Sequence, residues 1–407
     1  MGSRGRRPTH RARPGSWTGL PGVGRTGGAS YEQPGATASG LQYPQAMMRG
    51  AISAVVLVAS LAACGSSGWW SAAEAGDTAM TRTNPRADAI ARAQVWTATD
   101  IPSMDIKAGP ARPDSVPFRA TLMCAYDEKE LSGASPKFAC ETGDEEELKV
   151  KYGGNNAEVY AEVAATRLLW ALGFGADAMY PVRVVCRGCP QTLNGIPRAN
   201  DEWVFDPATI ERKLPGRELS EDGWAWRELE AVREDAGGAP RAHRDALKLL
   251  AVFLQHTDTK PQQQRLLCLD EPADEDEDAC RKPLMMVNDL GLTFGRATTF
   301  NVNEKAMNLV EWSSTPVWKG DTGCVGNLPK SFTGTLDNPV ISEAGRQFLA
   351  GLLNKLTDAQ IADLFSTARV TLRLRDPLKA KSGYPAVEEW VAAFKQKRAE
   401  IDTRRCA

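Results

Sequence analysis

Two short segments concentrate residues that could do chemistry. His256-Thr257-Asp258-Thr259-Lys260-Pro261-Gln262-Gln263-Gln264 follows a helix pattern, apolar on one side, over residues 241–255. Asn288-Asp289-Leu290-Gly291-Leu292-Thr293-Phe294-Gly295 follows a strand-like run over 283–288. Each segment sets an acid at the exit of a regular element, and the strand-like pieces 265–269 and 283–288 separate the two acids as a hairpin. Phosphoryl transfer needs this arrangement. One carboxylate accepts the proton of an acceptor hydroxyl, a second holds a divalent cation on the phosphates, and an amide oxygen or another acid completes the metal shell.

The elements that must position these groups begin upstream. Residues 121–126 read as a strand, and 137–140 as its partner across the turn Ser132-Gly133-Ala134-Ser135-Pro136. In a third strand, 148–152, apolar residues alternate with Lys149 and Lys151, which sets both ammonium groups on the face opposite the core. Asn156 is placed to cap a helix whose apolar stripe runs from Val159 to Leu172, Gly173 and Gly175 stop it, and 180–186 is a further strand. A turn with Gly133 can bring backbone N–H groups close to phosphates. Lys137 or a strand lysine can neutralise them, and a helix glutamate can hold that lysine in place. The remainder is mainly helical, with patterns over 241–255, 343–356, 358–367 and 386–401.

Taken together these pieces resemble the protein-kinase-like superfamily over most of residues 120–370. The 256–263 segment looks like the catalytic loop H-R-D-x-K-P-x-N, and Asp289-Leu290-Gly291 looks like the metal-binding D-F-G. Residues 131–138 are similar to the phosphate loop of HipA-type kinases. Residues 161–174 resemble the E-x-A-A-x-x-L-x-x-x-L-G-F helix of the secreted Golgi casein-kinase family. The resemblance implies an α+β, two-lobed kinase-like fold, with a small β-rich N-lobe holding one main helix over 101–197 and a larger, mostly helical C-lobe over 198–407. It also implies ATP as co-substrate with Mg²⁺ or Mn²⁺. Asp258 then takes the base position, Lys260 steadies the γ-phosphate, and Asp289 and Gln263 hold the metal. Ser132, Gly133, Ser135 and Lys137 line the phosphates, Lys151 is the nucleotide lysine and Glu162 its partner, with Lys149 and Glu158 competing for those two roles. Gln263 stands where kinases carry asparagine, and the phosphate loop has one glycine. The acceptor would be a protein or a small hydroxyl compound. The alternative is a catalytically inactive kinase-like nucleotide binder or a structural envelope lipoprotein.

The 407 residues are 42% hydrophobic and 25% charged, the profile of a soluble globular protein with room for two or three domains. A formal charge of −2 gives no basic field for nucleic acid, and none is expected as a partner. Residues 1–46, rich in Gly, Pro, Arg and Ser, read as a disordered or mis-called extension. Residues 47–63 read as a signal peptide: Met47-Met48-Arg49, an apolar run too short to span a bilayer, then small residues. Leu61-Ala62-Ala63-Cys64 resembles the bacterial lipobox, with lipidation at Cys64, and 64–100 reads as a flexible tether. The membrane is then a partner through the N-terminal lipid, and the expected location is the bacterial cell envelope, periplasmic or extracellular face.

Eight further cysteines suit disulfides in an oxidising compartment, with Cys124–Cys140 and Cys268–Cys280 favoured. The Cys186-Arg-Gly-Cys189 motif reads as a structural disulfide ahead of a metal or redox site. The acidic run 271–278 lacks the pattern of an EF-hand loop and reads as a solvated, disulfide-closed loop. Lipidation makes the first prediction. Acyl chains hold a protein to a bilayer through their buried methylenes, so Cys64→Ser should move the protein from the membrane to the soluble fraction on cell fractionation. A Cys64→Ser protein that stays with the membrane would contradict the anchor.

Overall fold

In the computed structural model the described residues are 84–193, 196–197, 202–270 and 280–406. The expected N-terminal extension, signal peptide, Cys64, the first part of the tether and the acidic run 271–278 lie outside them. Alternation of apolar and polar residues builds a closed barrel from β1 (Thr121–Asp127), β2 (Lys137–Thr142), β3 (Glu147–Tyr152), β4 (Ala178–Arg187) and a fifth strand. A two-residue hairpin, β5 (Thr192–Leu193) with β6 (Ile196–Pro197), precedes that fifth strand, β7 (Trp203–Arg212). The order is β1-β2-β3-β7-β4, and β4 closes the ring by running parallel to β1. Phe138, Leu148, Val150, Tyr180, Val182, Phe205 and Ile210 fill the interior, as period-two strands with one apolar face require.

The lobe boundary expected at residue 197 therefore falls one strand early, because β7 pairs with both β3 and β4. Asp206-Pro207 interrupts the strand pattern of β7. Its register against β4 shifts between Val182 and Val184, so that a bulge absorbs the proline. The tether also ends earlier than expected. Residues 85–92 form α1 (Pro85–Arg92), capped by the Asn84 side chain, which accepts from the Arg86 and Ala87 N–H groups. Ala93 and Val95 are fully buried, and Trp96 Nε1 donates to Leu172 O at 2.7 Å.

Helix α2 (Glu158–Leu172) is buried on nearly every side. It starts where Asn156 Oδ1 accepts the Glu158 N–H at 3.2 Å and Asn303 Oδ1 accepts the Ala157 N–H at 2.7 Å. Beyond the barrel, β8 (Arg217–Glu218), β9 (Gln264–Cys268) and β10 (Pro283–Val287) make a three-stranded sheet. Around it lie α3 (Arg241–Leu254), α4 (Leu309–Ser314), α5 (Glu343–Leu353), α6 (Asp358–Thr367) and α7 (Val387–Thr403). Their shared core is aromatic: Phe253, Phe294, Trp312, Phe365, Trp390 and Phe394 pack edge-on or tilted, with Phe365 stacked on Trp390. Disulfides join Cys124–Cys140, Cys186–Cys189, Cys268–Cys280 and Cys324–Cys406, which uses all eight cysteines after Cys64. No helix among the described residues is long and apolar enough to cross a membrane.

Gly173 ends α2 at φ +87°, and a Cβ there would sit 2.0 Å from Thr97 O. Gly173→Ala should therefore destabilise the fold by at least the roughly 1–3 kcal/mol of left-handed strain, with the clash in addition. Urea unfolding midpoints would show it. An unchanged midpoint would mean that the 97–100 segment does not hold against α2.

Candidate functional site

Strand β3 and helix α2 set up the centre of the site. Glu158 and Glu162 lie one helical turn apart, so both reach the same point on the sheet. That point is Lys151 Nζ, which contacts Glu162 Oε1 and lies 2.8 Å from Glu158 Oε2 and 3.7 Å from Asp289 Oδ1. Lys151 and Glu162 are each 2% exposed. Lys149 points to the same side of β3 but is held elsewhere, 2.7 Å from Glu211 Oε2, with its side chain 38% exposed. The two lysines that alternation makes equivalent are thus separated by what packs over them.

Electrostatics follow from this crowding. Burial opposes charge on Lys151, yet the carboxylates of Glu162, Asp289 and Glu158 overcome it and hold the ammonium well above its usual range. Burial pushes Glu162 well above the usual carboxylate range, against the pull of Lys151. Burial works against charge on Asp289 as well, but Lys151 keeps it below the ordinary value.

The turn between β1 and β2 reaches the same cluster. Ser135 Oγ donates to Glu158 Oε2 at 2.8 Å and Lys137 Nζ donates to Ser135 Oγ at 3.4 Å. Gly133 has φ +94°, and a Cβ there would stand 2.7 Å from Lys137 Nζ, so the ammonium folds under the turn. Burial, then Lys151, lowers the Lys137 pKa. Ser132 and Gly133 are exposed at the tip.

The acid loop leaves α3 at Gln255, whose φ of +56° turns the chain. Gln255 anchors it twice, donating to Asn327 O at 2.8 Å and accepting from the Ala297 N–H at 3.0 Å. His256 is fully buried with neither ring nitrogen bonded, and burial drops its pKa to about 4, so it is neutral packing. Asp258 Oδ2 accepts from Lys260 Nζ at 3.3 Å and from Gln263 Nε2 at 3.2 Å. Its Oδ1 is buried without a partner. Burial raises the Asp258 pKa, while Lys260 and the Gln263 hydrogen bond pull it down.

Gln263 bridges the two halves, since it also lines a cavity of about 40 Å³ with Lys149, Lys151, Glu162, Asn288 and Asp289. Gly291 lets the Asp289 turn close on α2: a Cβ there would lie 2.4 Å from Glu158 Cγ.

A cation could be held here. Carboxylate oxygens of Glu158, Glu162 and Asp289 lie within 4.8 Å of one another, and Glu162 Oε2 is buried without a hydrogen-bond partner. An all-oxygen set suits Mg²⁺ or Mn²⁺. Cys268, Asp270 and Cys280 also cluster, but those two sulfurs are in a disulfide and cannot act as thiolates. Sequence reading missed Glu211, the partner of Lys149, because it lies at the end of β7, a strand hidden by Pro207. It also missed Gly291's packing role, for which Asp-Leu-Gly gave only a turn signal.

No protein-family model matches the sequence, and no curated protein matches it. Among solved structures, the chain is similar to the Helicobacter pylori proinflammatory kinase CtkA. The identity is 9%, over 70% of this chain and 96% of that one, with a TM-score of 0.39. It is also similar to the Golgi casein kinase with Mn and ADP bound, at 11% identity over 70% of this chain and 72% of that one, with a TM-score of 0.30. Likeness at this level carries no argument for fold or activity, which rest on the residues themselves.

The cluster predicts unequal losses for its two lysines. Lys151→Ala leaves three close carboxylates without their cation and should cost about 3–5 kcal/mol near pH 7.5, the usual effect of breaking a buried pair. Lys149→Ala removes a partly exposed pair and should cost about 1 kcal/mol or less. Without Lys151 the folded-state carboxylate pKa values rise above their unfolded values, so the folded protein binds the extra protons. The stability of Lys151→Ala should then fall as pH rises past about 4.3, and its deficit should shrink at acid pH. Urea titrations at pH 4.5 and 7.5 test this, and a deficit independent of pH would reject the carboxylate cluster.

Proposed function

We propose that this chain is an exported, lipid-anchored protein with a kinase-like phosphotransferase domain that moves phosphate from ATP to a hydroxyl of a protein or small-molecule acceptor. One observation carries the reading: Lys151 is ringed by Glu158, Glu162 and Asp289, and Gln263 joins that ring to Asp258 and Lys260. In this reading Asp258 receives the acceptor's proton on its unpartnered Oδ1, and its raised pKa suits a base. Lys260 offsets charge on the group in transfer. Lys151, kept charged by its carboxylates, holds nucleotide phosphate oxygens, and Lys137 and Ser135 border them from the β1–β2 turn. Asp289 with Glu158 or Glu162 would hold a divalent cation, which supplies charge neutralisation for the phosphates. Four disulfides support an oxidising compartment outside the cytosol.

A second reading, a nucleotide-binding relative that transfers nothing, is favoured by Gln263, whose Nε2 donates to Asp258. That bond engages Oδ2 of Asp258 and presents a donor where a metal ligand would need an oxygen.

Nucleotide binding and transfer of labelled γ-phosphate, measured together, separate these readings. Asp289→Asn should weaken Mg²⁺-dependent nucleotide affinity and turnover together. Asp258→Asn should leave affinity nearly intact while turnover falls by roughly 10²–10⁴, the usual worth of a positioned base. Lys260→Ala removes a charge that lowers the Asp258 pKa, so the acid limb of its pH–rate profile should move to higher pH. A wild-type protein that binds nucleotide but transfers no phosphate favours the second reading, and one that binds none at any Mg²⁺ or Mn²⁺ concentration rejects both.

A further inference from the structure

A second cavity borders α2 next to the one at Lys151, sharing Thr166 and Met179 with it, and its volume is about 320 Å³. That is the low end of the range for small-molecule sites, roughly 300–1,000 Å³. Trp170, Phe174, Met179 and Leu269 give it largely apolar walls. Arg167 also lines it. This side chain is 1% exposed, and its Nε, Nη1 and Nη2 all lack a hydrogen-bond partner. The guanidinium lies over the Tyr180 ring, 5.5 Å from the centroid, which leaves its in-plane N–H groups free to bond elsewhere. Gly109 makes room for it: at φ +81° a Cβ would come within 1.7 Å of Nη1. The chain thus accepts a left-handed glycine to keep a cation buried without a hydrogen-bond partner, compensated only from a distance by Asp105, an arrangement that costs free energy unless something completes it. Burial brings the Arg167 pKa down to about 10, so the group stays charged at neutral pH.

Other charges at the cavity are already engaged. Arg112 is held by Asp114 through two hydrogen bonds at 2.9 and 2.8 Å. Asp177 Oδ1 accepts from the Leu214 N–H at 2.6 Å and from Arg265 at 3.0 Å. Burial raises Asp177 to about 6, and its Oδ2 has no partner. One free cation facing apolar walls, with a carboxylate at the same cavity, suits a single negative charge and not a phosphate dianion. A guanidinium fork matches a carboxylate's two oxygens.

We infer that this cavity binds a small organic carboxylate with an apolar body, its carboxylate paired with Arg167 and its body against Trp170 and Leu269. The inference is independent of phosphoryl transfer.

Isothermal titration of the full chain with octanoate and with phenylacetate, each beside its neutral amide, tests it. At least one acid should bind about tenfold or more tightly than its amide, the worth of a charge-assisted bond. Arg167→Met should remove that preference. Leu269→Trp, at a position 45% exposed and therefore safe for folding, should fill the cavity and abolish binding. If Arg167→Met does not fold, the acid-over-amide preference and the Leu269→Trp loss decide together. Failure of both acids to bind, equal binding of acid and amide, or binding that survives Leu269→Trp would overturn the inference.

Discussion

The buried ammonium of Lys151 ties barrel, helix and acid turn together. Lys151 is almost without solvent contact, and only carboxylates compensate its charge: Glu158 and Glu162 from α2, and Asp289 from the turn after β10. A lone buried cation of this kind costs several kcal/mol, so barrel, helix and acid turn must close on it together. The constraint fixes three things at once. It sets the rotation of α2 about its axis, since two glutamates one turn apart must face β3. It sets the approach of the Asp289 turn, which only a glycine at 291 allows. It also sets the β1–β2 turn, which reaches Glu158 through Ser135.

Closure of the barrel supplies the rigidity that such a pairing needs. β3 lies between β2 and β7, so Lys151 is held in register between Lys137 and Thr209, and β4, parallel to β1, closes the ring around it. The side chains before and after it, Val150 and Tyr152, are locked in the barrel interior. Outside, α2 has no solvent-facing side to relax toward, because the helical core covers what the barrel does not. An amphipathic helix has one apolar stripe, whereas α2 is apolar nearly all round, with Asn156 before its start and charged or hydroxyl-bearing residues at Glu158, Tyr160, Glu162, Thr166 and Arg167. Tyr160 donates to Gly154 O, and the others serve a cap, the lysine cluster or one of two cavities.

This explains which features were legible in the sequence. Period-two alternation located β3 and both lysines, but alternation makes residues 149 and 151 interchangeable, and only the fold distinguishes them. The i, i+4 pair Glu158 and Glu162 looked like competitors for one role, whereas both touch Lys151 because the helix packs tightly enough for two carboxylates to share it. The acid loop and the Asp-Leu-Gly turn were visible as motifs because their flanking elements are strongly patterned. β7 was not visible, because Asp206-Pro207 breaks its alternation and the compensating bulge with β4 is a tertiary fact. Residues 84–98 read as the end of the linker because the whole run from residue 65 is rich in Ala, Ser, Gly and Thr, yet Ala93 and Val95 find fully buried places that no local pattern announces.

Charge balance gives the site its remaining logic. Lys137, Lys149, Lys151 and Lys260 stand against Glu158, Glu162, Glu211, Asp258 and Asp289, four cations against five acids. Part of the excess is relieved by burial, which pushes Glu162 toward its protonated form. A polyphosphate entering alone would add negative charge to a cluster already acidic, and Coulomb energies at a few ångströms in a poorly solvated cleft make that unfavourable. A divalent cation bound by Asp289 with Glu158 or Glu162 would offset that charge and would lower the pKa of the carboxylates it touched. On the phosphotransfer reading, the surplus acid is therefore what makes the nucleotide depend on its metal: the phosphates would fit this cleft poorly without the cation.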